Sequence, residues 1–107
     1  MTTFDKREEG FEKKFALDEE HKFKAEARRN KLLGLWVAGQ LGLSGDEANA
    51  YAREVVVAEF GEGRDADVVS KVMGDLTAKG VAVTEEQIRD KMNELMAQAI
   101  AQVKAGM

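Results

Sequence analysis

The sequence predicts an all-α protein, a four-helix bundle preceded by a flexible or partly helical N-terminal arm. Three observations carry that prediction. Apolar residues recur at three- and four-residue spacing in four successive stretches, the period of a helix that buries one face. Two of those stretches open on a hydroxyl residue followed three positions later by Glu or Gln, Ser44 to Glu47 and Thr84 to Gln87. That is the pattern of a capping box, in which two side chains satisfy backbone N–H groups that the helix leaves unpaired. Proline is absent from all 107 residues, so nothing in the chain forces a helix to kink.

The first third of the chain is set apart by charge. From Asp5 to Lys31 there are 17 charged side chains in 27 residues, eight acidic and nine basic, while the rest carries 12 acidic and 7 basic residues. Glu9 with Lys13, Asp18 with Lys22 and Glu20 with Lys24 are pairs of the stabilising helical order, each contributing about 0.2–0.5 kcal/mol. Gly10 opposes them by up to about 1 kcal/mol. Apolar anchors are few before Phe23. Residues 1–18 therefore read as an arm that is loose or partly helical, and residues 19–107 as the folded body.

Within the body the first helix runs from about Asp18 to Gln40. Leu32, Leu33 and Trp36 form its apolar face, widened by Leu35 and Val37, and Gly39 and Gly42 supply a stop. The second helix opens at Ser44 and carries Ala48, Tyr51, Ala52 and Val55 at helical spacing. Val55-Val56-Val57 has strand propensity but continues the capped pattern, so it reads as helix. Gly61-Glu62-Gly63 breaks the chain. The third helix starts near Asp65 with Val69, Val72, Met73 and Leu76 on one face, and Gly80 is its expected C′ residue. The fourth opens at Thr84 and carries Ile88, Met92, Leu95, Met96, Ala99 and Val103. The short connections make successive helices neighbours.

Composition disfavours an enzyme. Cysteine is absent, which excludes disulfides, thiol catalysis and cysteine–zinc sites. A single His21 and two serines, Ser44 and Ser70, leave little for a hydrolytic triad. The net charge of −4 argues against nucleic acid or anionic lipid as the main partner. No apolar run approaches the roughly 18 residues of a membrane span, and the N-terminus lacks the apolar core of a signal peptide, so the expected location is the cytoplasm.

Five features could carry chemistry. Gly61-Glu-Gly-Arg-Asp-Ala66 has the outline of a dinucleotide loop, but it follows a helix cap, carries Glu62, Asp65 and Asp67, and lacks a second βαβ unit; a helix-to-helix turn is expected. Asp65 and Asp67 lack a calcium loop around them and fit an acidic first helical turn. His21 has no other histidine or cysteine to share a metal. It reads as a surface residue, with a weak pH-sensitive contact as the alternative. Arg28-Arg29-Asn30-Lys31, with Lys22 and Lys24 upstream, is interleaved with Glu20 and Glu26 and reads as a solvated face or a docking surface for an acidic partner. Phe4, Phe11 and Phe15 lie within about 40° of one another on a helix. They make a narrow apolar stripe among charges. Two seats suit such a stripe: a groove on another protein, or the chain's own body.

Phe4-Asp-Lys-Arg-Glu8, Phe11-Glu-Lys-Lys-Phe15 and above all Phe23-Lys-Ala-Glu-Ala-Arg-Arg-Asn-Lys-Leu-Leu-Gly-Leu-Trp36 resemble the zeta-subunit family, the ATPase inhibitor subunit of alphaproteobacterial F-type ATP synthases. The resemblance runs the length of the chain and is most specific from Ala27 to Trp36. It implies a bundle with a mobile N-terminal region that enters a catalytic α/β interface of the ATPase head, stops ATP hydrolysis and blocks rotation, much as the mitochondrial inhibitor protein does. Residues 4–19 match the inhibitory segment. The partner-binding residues implied are Phe4, Asp5, Arg7, Glu8, Phe11, Lys13, Lys14 and Phe15. Implied partners are the α and β subunits, with γ a further candidate; no catalytic residue, cofactor, metal, nucleic acid or membrane insertion is implied. The protein would be a cytoplasmic monomer when free and peripheral to the inner membrane when bound. A helical adaptor for another partner is the second reading. A nucleotide-binding module resting on Gly61–Ala66 or His21 is the third.

Overall fold

The computed structural model describes residues 19–106; the arm expected over residues 1–18 lies outside the described residues. Four helices make up the described chain: α1 (Glu19–Gln40), α2 (Gly45–Ala58), α3 (Asp65–Ala78) and α4 (Glu85–Lys104). No strand occurs among the described residues. The all-α four-helix architecture is as expected, and the Val55–Val57 run is helical.

Helix α1 buries a stripe at four-residue spacing, Ala25, Arg29, Leu33 and Val37, with Asn30, Gly34 and Ala38 beside it. Trp36 and Leu32, expected with Leu33 to form the apolar face, are only partly buried and pack against the core from its edge. The helix ends at Gly42 (φ +82°). The Gly42 N–H donates to the Gly39 carbonyl at 3.2 Å and the Leu43 N–H to the Ala38 carbonyl at 2.8 Å, the paired bonds of a Schellman stop. Gly39 stays inside the helix, so Gly42 provides the stop. Helix α3 ends the same way. Gly80 (φ +86°) is the C′ residue, with Gly80 N–H to the Thr77 carbonyl at 3.0 Å and Val81 N–H to the Leu76 carbonyl at 2.9 Å.

The two expected capping boxes differ. At α4 the box forms: the Gln87 N–H donates to Thr84 Oγ1 at 3.1 Å and the Thr84 N–H to Gln87 Oε1 at 2.9 Å. At α2 the backbone of Ser44 is extended as a cap should be, yet its hydroxyl makes no capping bond. The next residue, Gly45, has φ +57°, so the first turn departs from the regular geometry that a box requires.

The largest interfaces are those of α1 with α2 and with α4. Leu33, Val37, Val55, Val68, Val72, Leu76 and Ile88 are fully buried between the four helices. Helix α1 crosses α2 at Gly34, where an added Cβ would stand 2.6 Å from the Ala52 Cα. A polar tie joins α2 to α3: the Tyr51 hydroxyl donates to Asp75 Oδ2 at 2.6 Å. Burial and the Asp75 carboxylate push that hydroxyl's pKa well above its ordinary range.

Candidate functional site

The region from which residues 1–18 depart is built by the first half of α1, the end of α2 and the end of α4. Its frame is a polar anchor beneath the surface. Arg29 is 5% exposed and Asn30 fully buried. Arg29 Nη2 donates to Glu59 Oε1 at 3.1 Å and to Asp65 Oδ1 at 2.8 Å, and its Nε to Asn30 Oδ1 at 3.0 Å. Asn30 Nδ2 donates to the same Glu59 oxygen at 3.0 Å. Arg64, held at φ +52°, reaches Glu26 at 3.2 Å and Glu59 at 3.6 Å. Among the described residues no buried side-chain nitrogen or oxygen lacks a partner. Burial pushes the Glu59 carboxyl above its ordinary range, and the neighbouring Asp65 carboxylate adds to this against the opposing hydrogen bond from Asn30. At Asp65 burial acts upward too, but the Arg29 guanidinium outweighs it and holds the carboxyl below its ordinary range.

This anchor corrects the expectation that Arg28–Lys31 is, as a whole, a solvated face or a docking surface for an acidic partner. The cluster divides, with Arg29 and Asn30 inside, Arg28 half-buried and Lys31 exposed. The signal was present in the spacing, because Ala25, Arg29, Leu33 and Val37 share one stripe. A charged residue on that stripe reads as surface unless its partners are known, and they lie 30 and 36 residues away.

The Gly61–Ala66 segment is a helix-to-helix turn, as expected. The Gly63 N–H donates to Asp67 Oδ2 at 3.1 Å, and a Cβ on Gly61 or Gly63 would run into the same carboxylate. The turn wraps its own carboxylate from the first turn of α3. Asp65 serves Arg29. No group of three His, Cys, Asp or Glu suited to a metal occurs among the described residues.

The surface above the anchor is different in kind. Lys24, Arg28 and Lys31 run along one side of α1 with Ala27 between them, and His21 stands at the mouth. With Val56 of α2 and Val103 of α4 they line an open groove of about 570 Å³. A second recess of about 550 Å³, lined by Lys31, Asn49, Ala52, Arg53, Val56 and Val57, continues it over α2. Phe23 (51% exposed) and Phe60 (61%) adjoin Ala27 and Val56 of the groove, their ring centroids 6.0 Å apart. Apolar floor and cationic rim thus coincide. The residues expected to contact a partner, Phe4, Asp5, Arg7, Glu8, Phe11, Lys13, Lys14 and Phe15, lie outside the described residues.

A family model described as ATPase inhibitor subunit zeta matches residues 1–102 of the chain. A solved chain, described as a solution NMR structure, is 57% identical, covers 80% of this chain and 98% of its own, and superposes with a TM-score of 0.70. No curated protein matches the chain. Among the described residues no helix is long and apolar enough to cross a membrane.

Proposed function

The chain belongs to the ATPase inhibitor subunit zeta family, whose members are regulatory subunits rather than enzymes, and from that membership we propose that it stops ATP hydrolysis by inserting its N-terminal segment into a catalytic α/β interface of the F-type ATP synthase. The observation that carries this reading is the span of the family match. It starts at residue 1 and takes in the Phe4, Phe11 and Phe15 stripe as well as the four helices. The working division is an inhibitory arm over residues 1–18 and a bundle over residues 19–107.

A rotary catalytic head cycles its interfaces through open and closed shapes. A helix formed by residues 4–15 inside one interface buries Phe11 and Phe15 and sets Arg7, Lys13 and Lys14 against acidic groups of the partner. Asp5, Glu8 and Phe4 extend the contact. Ordering the segment costs conformational entropy, so binding is moderate in strength and depends on the nucleotide state of the interface. The inhibitor adds no catalytic group; it stabilises one step of the cycle and thereby prevents the next. The setting is the cytoplasm, at the membrane face where the synthase head stands.

The test is ATP hydrolysis by the isolated synthase head with the full chain added, wild type beside Phe11→Ala/Phe15→Ala. Both changes keep every charge and raise helix propensity while removing the buried rings. The wild type should suppress hydrolysis and the double variant should lose most of that effect. Equal inhibition by both would move the active surface to the bundle. No inhibition by either would favour the adaptor reading.

A further inference from the structure

We infer that residues 4–15 have a second seat, on this chain itself: the groove along α1 between Val56 and Val103, occupied by the segment as a helix running antiparallel to α1. The seat is a property of the free chain and stands whatever the segment's target on another protein.

The face asks for a cover. Two phenylalanines and Val57 are more than half exposed on one side of a small bundle, beside a groove whose floor and walls are Ala27, Val56 and Val103. Apolar surface gathered in one place and rimmed by charge marks an interaction site. The segment outside the described residues joins the bundle at this place. Eighteen residues precede Glu19, and the groove opens at His21, within the first turn of α1.

The dimensions agree. Residues 4–15 form a helix about 18 Å long. Residues 16–18 remain as the connection, reaching about 13 Å across four Cα steps, against about 8–10 Å between packed helix axes. Connections this short are ordinary between antiparallel helices.

Charge selects the register. In an antiparallel pair, residues whose numbers share a common sum stand level. The sum that sets Glu12 level with Lys24 also sets Glu8 level with Arg28 and Asp5 level with Lys31. Three carboxylates meet the three cations of the groove at once. On the segment's own helical wheel those carboxylates lie within about 60° of one another and adjoin the phenylalanine stripe on one flank, while Arg7 and Lys14 fall on the other. In this register Phe15 is level with His21, close to the exposed Phe23 and Phe60, and Phe11 is level with Ala25, beside Ala27 and Val56. Arg28 also donates to Gln102 Oε1 at 3.4 Å, and its five N–H donors accommodate both contacts. Exposed ion pairs of this kind are individually weak, so the seat opens readily. The same phenylalanines cannot occupy the groove and another protein together, which makes the bundle a competitor for its own arm.

The chain has no cysteine, so Thr3→Cys places a single nitroxide on the full-length protein. The amide signals of Lys24, Lys31 and Val56 should lose more than half their intensity, while those of Ser70, Thr77 and Ala82 keep theirs. Lys24→Glu with Lys31→Glu, both on exposed side chains, should abolish the effect, and adding Asp5→Lys with Glu12→Lys should restore it. An unchanged dispersion of the amide spectrum shows that these variants are folded. The inference is overturned by uniform or absent broadening, by broadening centred elsewhere, or by broadening that ignores the charge reversal. It is overturned equally if mixing labelled and unlabelled copies reproduces the pattern, since the seat would then lie between two chains. None of these readouts involves ATP hydrolysis, so the inference and the proposed function stand or fall separately.

Discussion

A guanidinium inside a small bundle is tolerable only when its donors meet acceptors. Arg29 meets Glu59, Asp65 and Asn30, and through them α1 grips the α2–α3 turn. Removing one member of such a group leaves the others buried and unpaired. Arg29→Ala should cost about 3–5 kcal/mol, a large part of the stability of a domain this size, whereas Lys31→Ala on the exposed side should change the melt little. The same anchor shapes the pH profile. The Glu59 pKa is raised by burial, so the native state takes up a proton more readily than the unfolded chain, whose Glu titrates at about 4.3. Stability from this group therefore grows as pH falls from the raised value towards that one. The Asp65 pKa is lowered, with the opposite sign: its contribution is present above about 3.9 and lost as pH falls below it. The melting temperature, followed from neutral pH into acid, should rise slightly and then fall. Glu59→Gln should remove the rise and leave the fall.

Glycines separate the roles of the helices. Gly34 and Gly74 both sit inside helices, where Ala is intrinsically better by up to about 1 kcal/mol. At Gly74 nothing stands within 4 Å of an added Cβ, so Gly74→Ala should raise the melting temperature. At Gly34 the new methyl would meet the Ala52 Cα, which is backbone and cannot turn aside. Gly34→Ala should force α1 and α2 apart and cost about 1–3 kcal/mol despite the gain in propensity. The order to be measured is Gly74→Ala above wild type above Gly34→Ala. Because the groove shares α1 and α2 with this crossing, separation there should also disturb the Val56 wall.

Across the whole molecule, the described core begins at Ala25 and closes with Leu95 and Ala99. Fifteen apolar residues on four helices fill it. The arm is therefore expected to be dispensable for folding. A chain lacking residues 1–18 should melt cooperatively within a few degrees of the full protein and should no longer inhibit ATP hydrolysis. A collapse of the melt would place part of the arm in the core. Inhibition retained at wild-type concentrations would place the active surface on the bundle.

The sequence by itself determined the all-α class, four helices with ends close to those observed, the Thr84 box, the Gly80 stop and the turn at Gly61–Gly63. These are decided within one or two helical turns, by period, capping chemistry and positive φ, and such signals are local. Only the tertiary structure decided that Arg29 and Asn30 lie inside, that Trp36 lies at the margin, that Gly34 is a crossing point, that Ser44 makes no capping bond, and that Phe23 and Phe60 meet on the surface. The partners of Arg29 and Asn30 lie 29 to 36 residues away. A charged side chain on a helical stripe is inside or outside according to whether a distant carboxylate arrives to meet it, and that arrival depends on how the helices pack.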